Sequence, residues 1–199
     1  IAIEEMGIMG ALRNMTVVAP VDADEMVRFV PQTLDLPGPV YIRLAKGGDP
    51  VVSKAEHGFQ IGKAILMRPA GRYLFVATGV MTQRALKAAE LLSGLGIEAG
   101  VLHMHTVKPL DEAAVLALAP KVEAIITVEE HTLIGGLGSA IADLVSERLG
   151  GRGPALLRLG IPDRFADKYG SQDDLLGHYG LQPEQLAERV AGLALRSAA

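Results

Sequence analysis

The sequence predicts an α/β fold: a three-layer α/β/α arrangement around a mostly parallel sheet, preceded by a partial α/β unit. Two observations carry this. From Tyr73 onward, short and nearly continuous apolar runs such as "YLFVATG" and "AIITVEE" alternate with longer stretches whose apolar residues recur at helical spacing. Strands of that kind are buried on both faces, which requires helices above and below the sheet. In addition, 49% of the 199 residues are apolar, enough to form such a core.

Taken in order, "IEEMGIMGAL" reads as a short helix and "MTVVAPV" as a strand. Asp22 caps a helix through "DADEMVRFVPQTL", and "PVYIRLA" is a second strand. The segment "KGGDPVVSKAEHG" breaks all periodicity and reads as a linker. Then come strand "YLFVATG", a helix with Leu86, Ala89 and Leu92 on one face, strand "IEAGVLHMH", and a short helix capped by Asp111. Strand "AIITVEE" leads into a helix striped by Ile141, Leu144, Val145 and Leu149, followed by strand "PALLRLG". The last helix begins near Pro183 and turns Leu186, Val190 and Leu193 inward. The expected organisation is residues 1–50 as two strand–helix units of a larger sheet, 51–57 as linker, and 58–199 as a complete domain.

Composition excludes several classes of function. A formal charge of −4 with interspersed signs offers no footprint for nucleic acid or an anionic membrane. No run reaches the ~18 uncharged apolar residues of a membrane span. With no cysteine there is no disulfide, thiolate metal site or thiol nucleophile. The start "IAIEEMGIMG" has two glutamates and no basic segment, unlike a signal peptide, and lacks an initiating methionine, as expected of a fragment or processed chain. The expected location is cytoplasmic.

"TVEEHTLIGGLGSAI", Thr127 to Ile141, is the most conspicuous candidate site. It fails the dinucleotide fingerprint, because Gly136 and Gly138 would require glycine or alanine in place of Ile141. Its amides from Gly136 to Ser139 can receive an anion at a helix N-terminus, or the glycines can serve a sharp turn and close helix packing. Glu129, Glu130 and His131 fall just beyond a strand's carboxyl end, where open α/β sheets bind ligands. Neighbouring residues there point to opposite sides, so Glu129 and Glu130 are not expected to pair; one can instead cap a neighbouring helix or meet a subunit partner. "HMH" sets His103 and His105 on one strand face, and with His131 they would offer three imidazoles to zinc, although no further ligand has suitable spacing. Arg43, finishing "YIRLAKGG" three residues ahead of Lys46, suits a substrate phosphate or carboxylate, or else a salt bridge to the chain's own acid. Asp163, Arg164, Asp167 and Lys168 are expected in a loop as an ion-pair network.

Five segments together resemble one family. "IEEMGIMGALRNMTVVAPVDADEM", "GPVYIRLAKGG", "VKPLDEAAV", "TVEEHTLIGGLGSAI" and "GIPDRF" occur in the order and at spacings similar to the C-terminal part of the transketolase family. That family also includes deoxyxylulose phosphate synthase and the beta chains of 2-oxoacid dehydrogenases. The tail "GIPDRF…YGSQDDLL…YGL" is most similar to the separately encoded C-terminal subunit of split transketolases.

The resemblance implies that residues 1–50 are the end of a pyrimidine-binding domain and 58–199 the transketolase C-terminal domain. It implies an enzyme passing a two-carbon ketol unit between sugar phosphates, with thiamine diphosphate and Mg2+ in the complete assembly. No cofactor is expected on this segment alone. The activating glutamate, the metal motif and the signature histidine would all precede Ile1, so no catalytic residue is assigned here and the segment alone is expected to be inactive. The implied partners are an N-terminal transketolase portion or subunit and a second copy in a homodimer. Arg43 matches the arginine that grips the substrate phosphate, and Lys46 a second basic position. His105, Glu130, His131, Gly136 and Gly138 are left as candidate crevice residues. The alternatives within the family are a beta-type subunit of a 2-oxoacid dehydrogenase, disfavoured because such acids carry no phosphate, and a deoxyxylulose phosphate synthase-like enzyme. A non-catalytic assembly or regulatory ligand-binding module is the alternative outside it.

Overall fold

The computed structural model describes residues 3–165 and 167–197; Ile1, Ala2, Ala166, Ala198 and Ala199 lie outside them. A five-stranded sheet is built from β3 (Ile65–Arg68), β4 (Tyr73–Ala77), β5 (Ala99–His103), β7 (Ala124–Thr132) and β8 (Ala155–Ile161), in the order β3-β5-β4-β7-β8. The pairs β4/β5, β4/β7 and β7/β8 are parallel, and β3 is antiparallel to β5.

Alternation along β4 explains the layering. Tyr73, Phe75 and Ala77 pack with α3 (Met81–Gly94) and α7 (Pro183–Ser197), sharing a core with Met81, Leu92, Leu186 and Val190. Leu74 and Val76 point the other way, into a core with α4 (Glu112–Leu118) and α5 (Leu137–Leu149), including Val115, Ile141 and Leu144. Both faces are covered, so β4, β5 and β7 are buried at every position. This is the expected three-layer, mostly parallel arrangement.

A second sheet has the order β2-β1-β6, from β1 (Thr16–Val18), β2 (Val40–Ile42) and β6 (Thr106–Lys108). β1 and β2 are parallel; β6 is antiparallel to β1. The third strand therefore comes from within residues 58–199. Behind this sheet, α1 (Glu5–Ala11) closes a small core of Met6, Val17, Ala19 and Val107. α2 (Ala23–Phe29) starts at Asp22, whose carboxylate accepts from the Glu25 amide at 2.9 Å, as expected for its cap. Asp111 likewise caps α4, accepting from the Ala114 amide.

Three elements depart from the sequence expectation. β3 and β6 were not anticipated: β3 is a short antiparallel edge strand, and β6 finds its partner β1 only far back in the chain. The expected loop after β8 contains α6 (Gln172–His178), started by a capping box between Ser171 and Asp174 and anchored by buried Leu176. Within that loop His178 Nε2 is 3.0 Å from Asp167 and 3.5 Å from Arg164, so a histidine outside the expected network joins two of its members.

Candidate functional site

The ends of β2 and β7 and the N-terminus of α6 converge on Arg43. The Arg43 amide donates to the Val18 carbonyl at 2.8 Å, continuing the β1–β2 ladder one residue and fixing where the side chain leaves the backbone. Its guanidinium Nη1 donates to Glu5 Oε1 at 2.6 Å, and Nη2 lies 3.4 Å from Glu130 Oε2. Glu5 comes from α1 and Glu130 from β7. Glu130 Oε1 in turn accepts from Gln172 Nε2, on the first residue of α6, at 2.7 Å. The chain's own acids thus engage Arg43, which was one of the two readings open for it.

These groups line a cleft of about 520 Å3 together with Tyr41 and Lys46. Lys46 is exposed and, with Gln172, also lines an adjoining cleft of about 450 Å3. Burial, then the charge of Glu5, pushes the Tyr41 phenol upward, so it stays neutral. Two guanidinium contacts leave further N–H groups on Arg43, and Lys46 supplies a second cation, so the cleft can receive a tetrahedral anion.

The glycine loop has a different role. Glu129, with no exposed surface, turns back under the loop and accepts from the Leu137 amide at 2.7 Å and the Gly138 amide at 2.8 Å. The anion at this helix N-terminus is therefore a resident carboxylate. Burial pushes Glu129 up to about 7, against the pull of those two amides. A Cβ on Gly136 would overlap Glu129 Oε2, and one on Gly138 would come within 2.9 Å of Glu129 Oε1 and Thr127 Oγ1. Glycine at both positions makes room for the carboxylate.

His131, also fully buried, accepts the Gly7 amide on Nε2 at 3.1 Å and directs Nδ1 to the Thr132 carbonyl at 2.7 Å. Those partners require a neutral ring with its proton on Nδ1, in keeping with the downward push of burial on its pKa. The ring ties α1 to the end of β7. His105 lies elsewhere, buried and stacked on Phe59 at 4.1 Å, with Nδ1 against Thr106 Oγ1. His103 bridges Thr82 at 2.7 Å and Glu25 at 2.9 Å.

The expected crevice set is therefore divided. Glu130 lines the Arg43 cleft, whereas Gly136 and Gly138 enclose Glu129 and His105 and His131 are separately buried. Among the described residues no group of three or more His, Asp or Glu is arranged to hold a metal ion, and the three imidazoles do not converge. Gln172 and Glu5 were not singled out from the sequence. Both are polar residues in short helices, and only the tertiary fold brings them to Arg43.

This geometry belongs to an α/β domain with a cleft at strand ends, where an arginine is held by two carboxylates, and comparison with known proteins identifies its family. Residues 62–186 match the family model described as "Transketolase, C-terminal domain", so the chain belongs to the transketolase family. It is 42% identical over 186 residues to a 6-deoxy-6-sulfo-D-fructose transketolase subunit of Clostridium sp., covering 93% of this chain and 56% of that protein. It is 40% identical over 192 residues to a putative uncharacterized transketolase family protein of Sinorhizobium fredii, covering 95% of this chain and 55% of that one. A solved structure of a split-gene transketolase, described as an inactive beta4 tetramer, superposes with a TM-score of 0.89 at 35% identity, covering 96% of this chain and 61% of the other. The chain thus spans about half the length of the relatives it matches.

Proposed function

We propose that this chain is the C-terminal part of a transketolase-type enzyme that transfers a two-carbon ketol unit between sugar phosphates, with Arg43 and Lys46 gripping the distal phosphate. The observation that carries the reading is the cleft of about 520 Å3 in which Arg43 and Lys46 stand together at strand ends. An anchored phosphate fixes the register of the sugar, so the reacting carbon is held at one distance from the chemistry.

Thiamine diphosphate and Mg2+ are assigned to the upstream polypeptide. The described residues do not suit them: the glycine-loop amides are taken by Glu129, and no acidic cluster is arranged for a cation. This chain's share is charge recognition, a wall of the cleft and assembly with an N-terminal portion and a second copy. Residues 1–50 are read as the end of the pyrimidine-binding domain.

The test uses the chain assembled with its upstream polypeptide. Replacing Arg43→Ala removes charged hydrogen bonds worth ~1.5–3 kcal/mol, so kcat/KM for phosphorylated sugars should fall roughly 10–100-fold. Unphosphorylated sugars should be unaffected; equal losses for both kinds would sink the assignment. A second reading replaces the phosphate with a sulfonate, and it is favoured by the 42% identity to the sulfosugar transketolase subunit. Parallel assays of matched 6-phospho and 6-sulfo sugars decide between them.

A further inference from the structure

We infer that Glu130 and Gln172 are positioning residues for Arg43, so that the C-terminal domain sets the direction from which the guanidinium meets the substrate's terminal anion. This rests on the reading of Arg43 given above and adds to it a part played by residues that do not carry the positive charge.

The argument follows the hydrogen bonds outward. A guanidinium at the end of a flexible side chain has no fixed direction unless its N–H groups are held. Here Nη1 is held by Glu5 at 2.6 Å and Nη2 faces Glu130 at 3.4 Å. The Nη2 contact is long, so the placement of Glu130 decides its geometry. That placement comes from Gln172, whose Nε2 donates to the second Glu130 oxygen at 2.7 Å.

Gln172 is itself well fixed. Ser171 and Asp174 lock the first turn of α6, and Leu176 is buried in the sheet core. Arg84 on α3 bonds Asp173 at 2.5 Å, and Gln182 Nε2 donates to the Asp173 carbonyl at 2.7 Å. A continuous path of hydrogen bonds therefore runs from Arg84 on α3 through α6 to Glu130 and Arg43. β2 carries the cation, while β7 and α6 aim it.

The Gln172 amide donates to a carboxylate that would otherwise present both oxygens to Arg43. Sharing Glu130 between the two donors keeps it from closing fully on the guanidinium. That leaves guanidinium N–H groups available to an anion in the cleft that Arg43 lines.

Gln172→Met tests the inference, since it keeps side-chain length and packing while removing the donor. In the chain assembled with its upstream polypeptide, KM for a phosphorylated acceptor should rise on the order of 3–10-fold with kcat within about twofold. KM for an unphosphorylated acceptor should not move. In the isolated chain, nitrogen NMR of the Arg43 guanidinium should show faster rotation about the Cζ–Nη bonds than in the wild type. Unchanged KM, or equal rises for both acceptors, overturns the inference even where Arg43→Ala behaves as expected. If Arg43→Ala makes no distinction between acceptors, the parent reading fails and this one fails with it. Should Gln172→Met lower the thermal midpoint, the NMR comparison alone decides: unaltered guanidinium rotation in the folded variant rules out positioning.

Discussion

At the scale of single residues, the most informative position is Glu129. A carboxylate without exposed surface is costly unless hydrogen bonds compensate it, and here two amides of a helix N-terminus do so. The glycines exist for that carboxylate, which leads to a paired prediction. Gly136→Ala would press a methyl group onto Glu129 and His131, and should destabilise the chain by ~1–3 kcal/mol, as overpacking does. Gly192→Ala, in the open middle of α7, has nothing within 4 Å of the added carbon and should stabilise by ~0.5–1 kcal/mol through helix propensity. Urea denaturation of both variants checks the opposite signs; a neutral Gly136→Ala would contradict the packing described. The sequence made the loop visible as strand end, glycine turn and helix start, and even offered a capping role for one of the two glutamates. It did not reveal that the anion awaited by the loop lies seven residues before it in the same chain, because a side chain's direction depends on strand twist and on its neighbours.

At the scale of elements, periodicity exposed each long strand and helix, and failed where an element is short or its pattern weak. β4, β5, β7 and β8 and the helices between them lie where the apolar runs put them. α6 was missed because its seven residues carry only two leucines beside acids, and β6 because its partner β1 lies about ninety residues away. The irregular segment after Lys46 was legible as a break in periodicity, but its anchoring was not. Asp22 caps α2 and also accepts from the amides of Val52 and Ser53 at 2.8 and 2.7 Å and from the Ser53 hydroxyl at 2.6 Å. One carboxylate therefore starts a helix and pins residues 52 and 53 against it. Burial opposes its ionisation, but the Ser53 hydroxyl and the Ser53, Glu25 and Val52 amides together hold it below the usual aspartate range. Asp22→Ala should cost ~2–4 kcal/mol, a cap plus buried amides left unpaired. Hydrogen exchange should show residues 50–54 losing protection along with α2. Loss confined to α2 would mean that residues 50–54 are held by other contacts.

At the scale of the whole molecule, the two sheets are joined by buried polar groups as well as by apolar packing. Glu25 on α2 reaches His103 on β5 at 2.9 Å and accepts the Val21 amide at 2.6 Å, and His105 lies beside them with its ring 5.5 Å from that of His103. Burial, then the neighbouring His103, lowers His105 to about 4, so it is neutral in the fold. In the unfolded chain the same ring takes its proton near 6.5. Between those values the unfolded state binds more protons, so the stability that neutral His105 contributes is complete above about pH 6.5 and is lost as pH falls toward 4, by roughly 3 kcal/mol. Glu25 adds a second loss in the same direction. Burial alone would raise its pKa, but the attraction of His103 and the bonds from His103 and Val21 outweigh that and leave it lowered. Its contribution is therefore present above the ordinary carboxylate range and disappears only as pH falls below 4.5 and through the depressed value. Glu129 works against this: raised to about 7, it takes its proton first in the fold, so its contribution grows as pH falls from about 7 toward 4.5. The loss at His105 is therefore read from the difference in thermal midpoint between wild type and His105→Asn from about pH 8 to 3. His105→Asn preserves a polar group facing Thr106 but cannot titrate. The ring lost from Phe59 should lower its midpoint near pH 8, and the gap to the wild type should narrow between pH 6.5 and 4 and stay constant below. If His105→Asn keeps the wild-type slope between pH 6.5 and 4, the acid sensitivity of the junction between the sheets has another source.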